Sequence, residues 1–134
     1  RGGPGNTVNN KTSYWVPKHS PRVVVEQVDI VSGVGRARAE AAGGAATKFH
    51  NLGRLVTNLG VLDFNGPGGT LRLVSTHPGV TVDDIRAASG CEIVIEGDIP
   101  NTREPSAGEL MLIREMLDPK NLRDREVPPV DGAA

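Results

Sequence analysis

Residues Arg54–Gly90 read RLVTNLGVLDFNGPGGTLRLVSTHPGVTVDDIRAASG, and this stretch decides the fold. Leu55, Val56, Leu59, Val61, Leu62 and Phe64 form a short apolar run of β type. Asn65-Gly66-Pro67-Gly68-Gly69 interrupts it with residues that accept or impose turn dihedrals. The run resumes at Leu71, Leu73 and Val74, and Pro78-Gly79 breaks it again. Thr81 then suits a helix N-cap, with Asp84 three positions on as its capping-box partner and Asp83 favoured by the positive helix end. Val82 and Ile85 share a face, and Gly90 is placed to stop the helix. The pattern predicts strands over Leu55–Phe64 and Leu71–Ser75 and a helix over Val82–Ser89. The short turn predicts that one strand pair is antiparallel.

Outward from this block, Arg22–Ile30 (RVVVEQVDI) predicts a strand, and its three successive valines suggest burial on both faces, as in a parallel sheet. Arg1–Pro21 reads as a loop with at most a short helix, and Arg36–Ala42 as a short helix ended by Gly43-Gly44. Cys91–Glu96 predicts a further strand through Ile93, Val94 and Ile95. Ser106 with Glu109 predicts a capped helix over Ala107–Leu117, its stripe at Leu110, Ile113 and Leu117, stopped by Asp118-Pro119. The sum is an α/β class: part of a mainly parallel open sheet with flanking helices and one antiparallel hairpin. Residues 1–127 form the domain part, and 128–134 read as a mobile tail.

The 134 residues suit one domain or a part of one. A net charge of −1 gives no footprint for nucleic acid or an anionic membrane. There is no apolar run of spanning length and no signal-peptide pattern. One cysteine, Cys91, fits a reducing cytoplasm. The chain opens without Met and inside a glycine-rich stretch, which predicts a partial or processed product.

The order of the block, with Gly90-Cys91-Glu92, a last helix and Asp118-Pro119-Lys120 after it, resembles the C-terminal half of the β subunit of the class I CoA transferase family. Five pieces extend the resemblance across Arg1–Val127 and toward the family's actinobacterial branch of cholesterol ring-degrading CoA hydrolases: Arg1–Thr7, Thr12–Val16, Val28–Gly33, Thr76–Thr81 and Leu122–Glu126. The resemblance implies a CoA thioester as substrate, no permanently bound cofactor, and an α subunit as partner in a heterodimer or heterotetramer in the cytoplasm. It implies hydrolytic ring cleavage of a steroid-derived acyl-CoA. The alternatives are the β subunit of a glutaconate- or 3-oxoacid-type CoA transferase, or a non-catalytic stand-alone α/β module.

Residues Arg1–Asn6 are the leading site candidate. Glycines let backbone N–H groups converge on one anion, so the stretch is either a flexible terminus or an amide nest. The resemblance favours the nest: a glycine-rich loop of the family's β subunit lies at the acyl-CoA site and binds the thioester oxygen. Gly2, Gly3 and Gly5 would carry that role, Asn6 would add a side-chain donor, and the Arg1 fork would pair with a substrate carboxylate. The family's usual loop is Gly-x-Gly-Gly; Pro4 and Asn6 depart from it, which favours the hydrolase branch. The transferases attack the thioester with the glutamate of a Ser-Glu-Asn-Gly-like motif. No Glu-Asn-Gly occurs here, so this chain is not expected to supply the nucleophile.

Glu26 and Asp29 fall in the expected strand, three apart and hence on opposite faces. Each is a candidate cleft carboxylate or a strand-end ion-pair member. His19, His50 and His77 show no metal-ligand spacing, and Cys91 has no thiol partner, so no metal site is expected. Tyr14-Trp15 reads as core packing or as a surface for a nucleotide or partner, and Arg123–Glu126 as a charge cluster.

Overall fold

The computed structural model describes residues 3–125, and contacts divide the chain into two compact units, Arg1–Thr102 and Arg103–Ala134. Arg1, Gly2, Glu126, Val127 and the expected tail lie outside the described residues.

Unit one carries a four-stranded sheet in the order β1-β2-β3-β4. Its strands are β1 (Lys11–Val16), β2 (Asn51–Thr57), β3 (Gly60–Asp63) and β4 (Arg72–Thr76). β1 and β2 run parallel, whereas β2–β3 and β3–β4 are antiparallel. The helices are α1 (Gly3–Asn9), α2 (Arg36–Ala42), α3 (Ala45–Lys48) and α4 (Val82–Ala88). The expected turn joins β3 to β4 through a 3-10 turn at Pro67–Gly69, where Gly68 and Gly69 take φ of 67° and 82°. The α4 cap forms as expected: Asp84 N donates to Thr81 Oγ1 at 3.1 Å, and Thr81 N donates to the Asp84 carboxylate at 2.8 Å. The core is Val24, Leu55, Leu62, Leu73, Ile85 and Ile93, with Leu62 and Ile85 wholly buried.

The α/β class stands, with corrections in its parts. The stretch Arg22–Ile30 is not a strand. Val23 N and Val24 N both donate to Ser20 O, curling the chain after Pro21, and only an isolated bridge joins Val25 to Gly90. One valine of the three, Val24, is buried. The N-terminal stretch expected as a loop with a short helix has that helix, α1, and forms in addition the strand β1. The expected Leu55–Phe64 strand is two strands, because Asn58-Leu59 reverses the chain and Thr57 Oγ1 accepts from both Leu59 N and Gly60 N. Antiparallel pairs therefore number two, and the parallel component is β1–β2 plus isolated bridges. Cys91–Glu96 is extended beside β4 but pairs at one point, Val94, whose N–H and C=O bond Leu71 O and Leu73 N at 2.9 Å each. Gly90 is not a left-handed stop: it lacks positive φ, and a side chain there would strike the carbonyl of Pro21.

In unit two, α5 (Ala107–Met111) has the expected cap and continues as a π-helical turn, Leu112–Leu117. Arg103 grips Glu109 at two points, both 2.9 Å, and Ser106 N donates to the same carboxylate at 2.7 Å. The Arg103 contact leads in holding the Glu109 carboxyl down to about 2. Asp118 ends the turn by accepting from the N–H groups of Leu122 and Arg123, and it pairs with the Arg123 side chain.

Candidate functional site

Gly3, Gly5 and Asn6 lie in α1 rather than in an irregular loop. The first residues of a helix keep N–H groups free of intrahelical partners. Two contacts fix this turn. A Cβ on Gly3 would stand 2.8 Å from the carbonyl oxygen of Ser32, so only glycine lets the segments touch. Buried Thr7 donates its hydroxyl to Gly3 O at 3.1 Å and accepts from Val34 N at 2.9 Å. At Gly5, by contrast, nothing lies within 4 Å of an added Cβ.

The Ser32–Val34 segment also walls an open groove of about 570 Å³. Its other walls include Tyr14 of β1, Leu55 of β2, Val25, Phe64 and Leu71. Tyr14 and Phe64 meet edge to face at 6.0 Å. Val23, Val28 and Ile30, expected in a buried strand, are exposed and with Val31 form the groove's apolar lip. Tyr14 and Trp15 are not core residues; both are exposed.

Glu26 lines this groove and a second one of about 560 Å³ that holds Cys91 and Glu92. It is exposed, as is Asp29, which lines neither groove, so the expected burial of this pair does not occur and only Glu26 faces a cleft. Burial first and the Glu26 charge second push the Cys91 thiol up, away from a reactive thiolate. Among the described residues no group of His, Cys, Asp and Glu is assembled to hold a metal.

His19 has a structural task that its isolated position in the sequence did not reveal. Ser89 Oγ donates to Ile85 O at 2.8 Å and so accepts from His19 Nε2 at 2.9 Å. Nδ1 lies 3.1 Å from Thr57 Oγ1, and burial lowers the pKa of the ring. His77 Nε2 reaches the carbonyl of the same Thr57 at 2.8 Å, and His50 reaches that of Val34 at 2.8 Å.

The sequence reading also missed Asp63. Its side chain is 2% exposed and sits between Arg54 and Arg72, each at 2.8 Å, on the strands to either side. Asn65 adds two further donors. Burial pushes this carboxyl up, but the hydrogen bonds from Arg72 and Asn65 outweigh it and hold the group below the usual range. The strand register was the missing signal: Asp63 opposes Arg54 on one side and Arg72 on the other.

No family model matches the chain. Over 127 residues, 95% of the chain, it is 54% identical to the cholesterol ring-cleaving hydrolase IpdB subunit of Rhodococcus jostii (strain RHA1), of which it covers 50%. It is 50% identical over the same span to that of Mycobacterium tuberculosis (strain ATCC 25618 / H37Rv), again covering 50%. The chain thus spans about half the length of the curated relatives it matches. The crystal structure of Rhodococcus jostii RHA1 IpdAB superposes with a TM-score of 0.84 at 52% identity, over 96% of this chain and 52% of that one. Glutaconate coenzyme A-transferase from Acidaminococcus fermentans shares the fold, with a TM-score of 0.76 at 19% identity over 96% of this chain and 48% of that one. The chain is therefore a homologue of IpdB subunits with a CoA transferase-like fold, as the five sequence pieces implied. Among the described residues no helix is long and apolar enough to cross a membrane.

Proposed function

We propose that this chain works as the C-terminal half of a CoA-thioester-processing β subunit, which acts with an α subunit in the cytoplasm to cleave a ring of a steroid-derived acyl-CoA by hydrolysis. The observation that carries the reading is the 127-residue match at 54% identity to an IpdB subunit, with the 0.84 superposition on IpdAB. The resemblance to the CoA transferase family supplies the rest of the assignment. The chain contributes surface rather than the attacking group. Its exposed apolar groove suits a hydrocarbon acyl body. The α1 turn, with Arg1 and Gly2 ahead of it in the sequence, offers backbone N–H donors at Gly3 and Gly5 and the side-chain amide of Asn6 for charge that develops on the thioester oxygen. The working carboxylate belongs to the partner subunit, and no metal or permanently bound cofactor enters the scheme.

The test is a reconstitution. The complete β subunit and its α subunit are incubated with a cyclic steroid-derived acyl-CoA, and products are weighed by mass spectrometry. The proposal expects gain of one water with the CoA thioester retained on the opened product, and no turnover by the 134-residue chain alone. Exchange of CoA onto an added carboxylic acid instead would reassign the chain to the transferase branch. Turnover by the chain alone would show that its site is complete without a partner.

A further inference from the structure

Arg36 is the one cation on the wall of the apolar groove among the described residues, and Glu26 its one carboxylate. Arg54 and Arg72 are engaged by Asp63, whereas Arg36 forms no salt bridge among the described residues. Its side chain is nevertheless held in place. A Cβ on Gly69 would stand 3.1 Å from Arg36 Cβ and 3.5 Å from its Cδ, so the stem lies flat over the Pro67–Gly69 turn where a larger residue would lift it. One guanidinium nitrogen donates to Asn65 Oδ1 at a long 3.4 Å. A guanidinium carries five N–H donors, so most of this fork is left for a ligand.

We propose that Arg36 is the specificity-determining contact of the groove, reading the carboxylate of a ligand whose apolar body lies against Val25, Leu55, Phe64 and Leu71. An apolar wall with one restrained, unneutralised guanidinium selects an amphipathic carboxylic acid over a neutral molecule of equal size, because the fork matches two carboxylate oxygens at once. Glu26 repels the same anion and sets the limit on its affinity. The assignment deepens the proposed function and rests on it for biological meaning, but binding needs no turnover, so the two can fail separately.

The test is calorimetric titration of the complete β subunit assembled with its α subunit, without substrate, with 4-cyclohexylbutanoate and with 4-cyclohexylbutan-1-ol, its uncharged counterpart. The acid is expected to bind at least about tenfold tighter, the scale of one charge-assisted contact. Arg36→Gln should abolish that preference while leaving the alcohol's affinity and the far-ultraviolet circular dichroism unchanged. Arg36→Lys should restore only part of it, Glu26→Gln should strengthen acid binding, and Phe64→Ala should weaken both ligands alike. Equal binding of acid and alcohol, a preference that survives Arg36→Gln, or no binding of either ligand would overturn the assignment. Displacement of the acid by equimolar inorganic phosphate would also overturn it, by making Arg36 a phosphate contact.

Discussion

Replacing Asp63 tests whether the charge triad on the sheet is a structural lock. Asp63→Ala would leave the guanidinium groups of Arg54 and Arg72 facing a space vacated by the carboxylate that both contact at 2.8 Å. Breaking a fully buried pair costs about 3–5 kcal/mol. Here Asp63 is 2% exposed, but the arginine side chains are 49% and 32% exposed, so water recovers part of their solvation. The expected loss is about 2–3 kcal/mol, and Asp63→Asn, which keeps an acceptor for Asn65 N, should lose about 1–2 kcal/mol. Arg72→Ala should cost more than Arg54→Ala, because Arg72 places two nitrogens on Asp63 and a third on Glu96. Urea unfolding followed by circular dichroism would show the Ala variant as a midpoint lowered by about 1 M or more.

The acid limb gives a second reading of the same triad. The Asp63 carboxyl titrates lower in the folded protein than its ordinary 3.8. Below 3.8 the unfolded chain takes up the proton first, so this stabilisation is whole above that pH and is lost as pH falls through the folded value. Asp63→Asn should lack that part of the acid loss. An Asn variant within 0.5 kcal/mol of the parent at pH 7, with an unchanged acid limb, would refute the reasoning.

Three further outcomes are expected. Burial lowers the His19 pKa from 6.5, so stability should fall as pH drops below about 6.5, and His19→Gln should flatten that slope in urea titrations. Gly3→Ala must displace the Ser32 carbonyl whereas Gly5→Ala meets open space; in the reconstituted enzyme the first should lower kcat by about 10²–10³ and the second should leave it near the parent value. The Glu109 carboxyl should titrate at about 2 by NMR and move up toward 4.5 in Arg103→Ala.

The features legible in the sequence are those that one or two residues decide locally. The cap at Thr81 and Asp84, the cap at Ser106 and Glu109, and the reversal over Asn65–Gly69 follow from side chains acting within a few positions of themselves. The failures have the opposite character. Three valines after Pro21 carry strong β preference, yet β preference is a statement about a half-buried pleated surface, and this segment has sheet on neither side. Its backbone turns onto Ser20, and its apolar side chains become the groove. In β1 the reverse occurs. Lys11-Thr12-Ser13-Tyr14-Trp15-Val16 has no alternation because much of it is exposed, but Thr, Tyr, Trp and Val still favour extended backbone, and β2 supplies the parallel partner.

The candidate site divides along the same line. Its glycines were visible because Gly2, Gly3 and Gly5 crowd into one stretch, yet what Gly3 does depends on Ser32, 29 positions away. Arg36 carried no signal at all, since an arginine opening a short helix is ordinary until Gly69 and Asn65 fold beside it. The same holds for Asp63, one acidic residue among many until the hairpins set an arginine on each side. In each case the residue type is local information, whereas its partner is fixed by register and turn geometry, which a sequence specifies only through the completed sheet. The proposed role of Arg36 follows from the same tracing of partners: on the groove wall it is the one cation among the described residues, and it forms no salt bridge there.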